Sequence, residues 1–243
     1  MKVGTSVDPI GPDRILQDGR PQYPLWIEKF LMSCEGGLPP GIVFTMTVDH
    51  IGHAEEVYRF FKNLRSLARH PIDIRINPMY PAGAAAHLEA SKMLKPAAYG
   101  EFLLRLRELW ERDGMPFRLS PLGEWHEGTD GSCDFLERCG GRFIGLDGDG
   151  GVYHCGRFMD AGERLGNLLD RGLGEILQDA RRGVLDRRAD LLRAGPCRDC
   201  PHWSRCHGGC PYQARLAYGD AMRPSPFCEA YRMLLDRTPG SPA

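Results

Sequence analysis

Strand-like and helix-like patterns alternate through the first half of the chain. KVGTSVDP, IVFTMTVD and IDIRINPM are short, rich in β-branched residues and bounded by glycine or proline, which marks them as strands. Between and after them Val57, Phe60, Phe61, Leu64 and Leu67 recur at helical spacing, as do Tyr99, Phe102, Leu103, Leu106, Leu109 and Trp110. Strands alternating with helices predict β/α units around a parallel sheet, so the expected fold class is α/β.

The two faces of these strands differ. Val3, Thr5 and Val7, then Phe44, Met46 and Val48, then Ile72, Ile74 and Ile76 form a mostly apolar face suited to packing under helices. The opposite face carries Gly4, Ser6 and Asp8, then Thr45, Thr47 and Asp49, then Asp73, Arg75 and Asn77. A strand inside a filled barrel is apolar on both faces, so a polar row ending at the strand C-termini suggests a lumen that holds a polar ligand. A sheet with one solvated face gives the same alternation, and periodicity alone leaves both readings open.

Composition narrows the function classes. At 243 residues the chain can form one large or two modest domains, and 42% hydrophobic residues with a mean hydropathy of -0.37 is ordinary for a globular protein. A net charge of -1 argues against a nucleic-acid or membrane-surface binder. MKVGTSVDPI has no apolar signal core and no run approaches membrane-spanning length, so a cytoplasmic location is expected. The arginines of DARRGVLDRRADLLR alternate with acids and apolar residues and read as the solvated face of a helix. The TPGSPA tail, with residues 239–243 at its end, reads as disordered.

Candidate chemistry lies in the cysteines. Eight of the nine fall between Cys133 and Cys228, as Cys133, Cys139 and Cys155, then Cys197, Cys200, Cys206 and Cys210, then Cys228. Soft metals and iron-sulfur clusters select thiolates, and Cys197 and Cys200 are spaced to reach one centre from a single tight turn. Gly150, Gly208 and Gly209 allow positive φ and close backbone approach beside these ligands. Eight thiolates make two sets of four. A zinc site on Cys197, Cys200, Cys206 and Cys210 meets the same softness argument but leaves Cys133, Cys139 and Cys155 without a reason. Disulfides need an oxidising compartment. His202 and His207 read as solvated loop residues, and Cys34 as a small buried apolar group.

This arrangement, C-x10-G-x4-C followed by C-x2-C-x5-C-x3-C and a final cysteine, resembles the SPASM domain of radical S-adenosylmethionine (SAM) enzymes. Gly166-Asn167 and the CHGGC run match it too. The resemblance to sulfatase-maturating members implies two [4Fe-4S] clusters, one on Cys133, Cys139, Cys155 and Cys210, the other on Cys197, Cys200, Cys206 and Cys228. With Cys133 present, each cluster would have four thiolates and would serve electron transfer. VGTSVDPIGPDRILQDGR resembles the fourth strand and loop of a radical SAM barrel, and IRINPMYPAG its sixth. On that alignment Ser6 and Asp8 lie near SAM or substrate, and Arg75 and Asn77 point into the cavity.

The resemblance implies residues 1–120 as the C-terminal half of a (β/α) barrel and residues 121–238 as the SPASM domain. No C-x3-C-x2-C motif for a SAM-binding cluster occurs in the sequence, so a truncated or split enzyme is expected. SAM would then act only in a complete or complemented enzyme, with a missing barrel half as partner. Such an enzyme modifies a peptide or protein substrate and takes electrons from a flavodoxin or ferredoxin. Cys155 is followed by Gly156, where sulfatase-maturating members carry an Asp, which makes formylglycine formation doubtful. A non-enzymatic electron-transfer or docking subunit and a zinc-stabilised interaction domain are the other classes that fit.

Overall fold

The computed structural model describes residues 3–10, 14–127 and 133–237. The TPGSPA tail and the GTDGS stretch before Cys133 lie outside the described residues. The described chain divides into two compact units, one of residues 3–127 with 229–237, the other of residues 133–228.

In the first unit, β1 (Gly4–Ser6), α1 (Tyr23–Glu35), β2 (Gly41–Met46), α2 (Ala54–Ala68), β3 (Asp73–Pro78), α3 (Pro96–Arg112), β4 (Arg118–Ser120) and α4 (Leu122–Glu127) follow in order. The four strands make one parallel sheet in the order β1-β2-β3-β4. This is the β/α alternation the sequence predicts, with one strand more than its pattern reveals. β4 has three residues, too few to display a period of two.

Alternation along the inner strands follows the expected faces. Ile42, Phe44 and Met46 of β2 and Ile74 and Ile76 of β3 are buried, while Thr45, Arg75 and Asn77 between them are half-buried. Phe61 and Phe102 close over Phe44, with ring centroids 6.0 and 6.3 Å away. Pro96 starts α3, where its missing N–H is not needed. Tyr99, Phe102, Leu103, Leu106, Leu109 and Trp110 of that helix are all buried. The Tyr99 hydroxyl donates to the Ile76 carbonyl at 3.1 Å, and Trp110 Nε1 donates to that of Phe117 at 2.8 Å, so the buried polar tips are satisfied.

Three expectations need correction. Leu67 is 57% exposed because Ala68 takes the buried place in the last turn of α2. Val3 is exposed, and Thr5 accepts a hydrogen bond from Trp26 Nε1 at 2.8 Å, so the helix-facing side of β1 is only partly apolar. The second strand stops at Met46, and Val48–His50 form a 3-10 turn capped by Thr47, whose hydroxyl accepts from the Asp49 amide at 3.3 Å. Cys34 is buried in α1 as expected.

The second unit holds a small antiparallel sheet of β5 (Gly145–Leu146), β6 (Gly151–Tyr153) and β7 (Arg164–Asn167). It continues through α5 (Leu173–Ile176), α6 (Arg182–Ala194), α7 (Trp203–Cys206) and α8 (Pro211–Tyr218). Val152, Leu165 and Ile176 form a small core beneath the sheet. Helix α9 (Cys228–Leu235) opens with the last cysteine of the second unit, and its remaining residues belong to the first. There a Cβ on Gly100 of α3 would come within 3.1 Å of Ala230 Cα, so the close approach of α9 requires glycine.

Candidate metal centre

All nine cysteines are free thiols. The small sheet places Cys155, which leaves β6 two residues after its end. Gly150 turns the chain into β6 with φ of 84°. Asn167 braces that turn, donating to the Asp149 carbonyl at 3.0 Å and accepting from the Leu169 amide at 2.8 Å. The glycine five residues before Cys155 and the later Gly-Asn pair therefore serve one purpose, holding the approach to this thiol.

Cys197 and Cys200 sit in a tight turn closed by the Cys200 amide on the Cys197 carbonyl at 3.3 Å. Cys206 ends α7, and Cys210 stands in extended conformation just before Pro211 starts α8. Between them His207, Gly208 and Gly209 all adopt positive φ, at 48°, 77° and 70°. Gly208 also lacks room, since a Cβ there would lie 2.4 Å from Leu192 Cδ1 of α6. Gly208→Ala is therefore expected to destabilise the second unit by about 1–3 kcal/mol of backbone strain, with the displacement of Leu192 added. Chemical denaturation of the reduced protein would measure it, and an unchanged midpoint would contradict this geometry.

The thiols gather in two sets. Burial pushes the Cys139 thiol up to about 12, with Cys210, Cys155 and Cys133 as the thiols that add to the shift. Burial pushes Cys206 up to about 12 as well, and there the contributing thiols are Cys228, Cys200 and Cys197. Cys197 is raised by burial, then by Cys228 and Cys200. For Cys139, Cys206 and Cys197 the thiols that add to the shift are thus members of the set the resemblance implies. Buried and half-buried thiols gathered together disfavour the thiolate form unless a positive centre compensates, and the donor set suits a soft metal or cluster. Among the described residues no three His, Cys, Asp or Glu side chains converge as closely as a single metal ion requires. The thiolate-only donor set is the chemistry an iron-sulfur cluster takes, and it is on that donor chemistry that the residues present fit such a group.

Two arginines stand among these thiols. Arg157 Nη1 donates to Cys210 Sγ at 3.1 Å and pairs with the buried Asp134, while its amide donates to Cys155 Sγ at 3.4 Å. Arg188, expected on a solvated helix face, is buried in α6 and bonded to five backbone carbonyls. Its neighbour Arg187 is exposed, so the solvated-face reading holds for the helix and fails at one position. His202 is buried rather than solvated, its carbonyl accepting from the amides of Arg205 and Cys206 in the first turn of α7. His207 is half-buried, and its Nδ1–H donates to the Phe135 carbonyl at 2.7 Å.

The candidate residues of the first unit occupy separate places. Asp8 and Asn77 line a cleft of about 520 Å³ with Arg14, Thr45, Thr47, Asp49 and His50, at the C-terminal ends of β1 to β3. Ser6 lies beside it, bonded by Arg14 Nη1 at 2.7 Å, and the same guanidinium grips Asp8. Arg75 Nε donates to Asn77 Oδ1 at 3.1 Å, but its side chain lines a different cleft, of about 830 Å³, with Gly4, Val43 and Ser120. His50 is buried, its Nδ1 accepting from the Thr47 amide at 3.1 Å, and burial lowers its pKa while Asp8 opposes the shift. Sequence pattern picked out neither Arg14 nor His50, because Arg14 lies in an irregular segment and His50 in a 3-10 turn, where no period applies.

Comparison with known proteins agrees with this architecture. No family model matches. The chain is 22% identical over 198 residues to the cysteine-type anaerobic sulfatase-maturating enzyme of Clostridium perfringens, covering 79% of this chain and 52% of the relative. It is 22% identical over 229 residues to the serine-type anaerobic sulfatase-maturating enzyme of Bacteroides thetaiotaomicron, covering 86% of this chain and 55% of that one. The structure of anSMEcpe with bound AdoMet and Kp18Cys peptide superposes with a TM-score of 0.77 at 21% identity, over 96% of this chain and 66% of that one. The chain thus spans about half the length of the curated relatives it matches. Its fold is that of radical SAM proteins with a SPASM domain. Within that class it resembles the anaerobic sulfatase-maturating enzymes in sequence and in fold.

Among the described residues no helix is long and apolar enough to cross a membrane.

Proposed function

We propose that this chain is the auxiliary-cluster portion of a radical SAM/SPASM enzyme that modifies a peptide or protein substrate. The observation that carries this reading is the gathering of eight thiols into two sets of four within one unit. Cys133, Cys139, Cys155 and Cys210 would hold one [4Fe-4S] cluster, and Cys197, Cys200, Cys206 and Cys228 the other. When bound, such clusters supply one-electron transfer.

The protein's own groups bury the thiols, hold their loops and keep a guanidinium against Cys210. Residues 1–120 would form the barrel half, although the first unit also takes in residues 121–127 and 229–237, and its cleft would offer Asp8, Asn77 and the Arg14–Ser6 pair to SAM or substrate. Arg75 serves from the neighbouring cleft through its bond to Asn77. A peptide partner is favoured because anSMEcpe is seen with a peptide bound. SAM chemistry needs a C-x3-C-x2-C segment, which this sequence lacks, so it would come from a complementary barrel half. Gly156 after Cys155 argues for a side-chain modification other than formylglycine formation. Flavodoxin or ferredoxin as reductant and a reducing cytoplasm suit a protein whose nine cysteines are all free.

Anaerobic reconstitution tests the reading. The chain is expected to be brown and to carry about eight iron and eight sulfide, since each cluster takes four thiolates. Stoichiometric zinc without sulfide would overturn it in favour of a zinc-stabilised domain.

A further inference from the structure

The loop from Cys206 to Cys210 links the two thiol sets, because Cys206 lies in one and Cys210 in the other. Only His207, Gly208 and Gly209 separate them. Arg188 takes the carbonyls of all three: Nη1 donates to His207 at 3.4 Å and to Gly209 at 2.9 Å, and Nη2 to Gly208 at 3.0 Å. Nε donates to the Ala221 carbonyl at 2.7 Å and Nη2 also to that of Arg223 at 2.8 Å, in the segment that leads to Cys228. A guanidinium has five N–H donors, and here there are five acceptors. The fork is therefore filled by neutral carbonyls, and its positive charge is left to act through space.

We propose that Arg188 is a shared positioning residue for both candidate clusters, a fixed cation lying against the one loop that carries a ligand of each. The inference rests on the cluster reading above and deepens it. A buried charge is poorly screened and acts over longer distances than a surface one. The charge of Arg188 is opposed by burial and supported by Cys139 and Cys210 from one set and by Cys197 and Cys206 from the other. A cation held between two redox centres favours the more negative, reduced form of both. Lysine could restore the charge but not the fork, since its ammonium has three donors on a flexible stem.

The test is a potentiometric titration of the reconstituted full chain with dithionite, followed by EPR, in the wild type and in Arg188→Gln, Arg188→Lys and the exposed control Arg187→Gln. Dithionite supplies one electron to each oxidised cluster. Arg188→Gln is expected to lower the reduced-to-oxidised ratio of both clusters at a fixed potential by about tenfold, equivalent to about 59 mV for a one-electron couple. Arg188→Lys is expected to shift both less, and Arg187→Gln neither. A shift in one cluster alone, or in none, would overturn the inference. So would loss of both clusters from the Gln and Lys variants alike, which would leave Arg188 a folding role only. A wild type without iron and sulfide is a different failure: it sinks the cluster reading, and this inference with it.

Discussion

Cys206→Ala is expected to halve the iron and sulfide of the reconstituted chain, from about eight of each to about four. Cys206 is buried at the end of α7, with Cys197, Cys200 and Cys228 as its thiol neighbours. Its loss leaves three thiolates around a site built for four. Cys139→Ala is the mirror experiment, because Cys139 is raised by burial and then by the other three thiols. Each variant is expected to remove one EPR signal and leave the other. The double variant is expected to bind neither cluster. Equal partial loss of both signals in each single variant would mean that the two sets are not independent sites. Cys133→Ala completes the series: it is half-buried and the smallest named influence on Cys139, yet full ligation requires that its removal alter the first signal.

Phe61→Ala is expected to cost about 3–5 kcal/mol, a large share of the roughly 5–15 kcal/mol that holds a typical domain together. The ring is fully buried, packs against Phe44 at 6.0 Å and Phe60 at 5.4 Å, and reaches Phe117 at 6.4 Å. Truncation removes the group on which α2 rests against the sheet and leaves a cavity that three rings cannot collapse to fill. Urea denaturation is the measurement, with a lowered midpoint at unchanged slope as the expected result. Leu67→Ala in the same helix is expected to stay within about 0.5 kcal/mol, because that side chain is exposed. Similar losses at the two positions would show that helical spacing, rather than burial, had been measured.

Those two leucine and phenylalanine positions show where the sequence could be read and where it could not. The stripe on α3 was legible throughout, because six large apolar residues at helical spacing have no other place to go than the sheet. Alternation on β2 and β3 was legible for the same reason, while β4 escaped notice because three residues cannot show it. The turn at Cys197 and Cys200 was legible because its geometry is local, whereas the division of the thiols into sets came from the family resemblance and not from spacing. Arg188 and Arg187 are indistinguishable in sequence. Only the arrival of carbonyls from a loop about twenty residues onward makes one of them structural. His202 was hidden for a similar reason, its burial being decided by the folding of α7.

The unequal strands of the first unit bear on how the protein behaves at high concentration. β2 and β3 have six residues each and face each other, whereas β1 and β4, at the two margins, have three. A margin of three residues presents few unpaired amides and carbonyls, which makes it a poor template for a strand from a second copy of this chain. The longest and most apolar strands are also the ones sheltered on both sides. Self-association through the sheet is therefore blunted by geometry, without proline or a row of lysines along the edge.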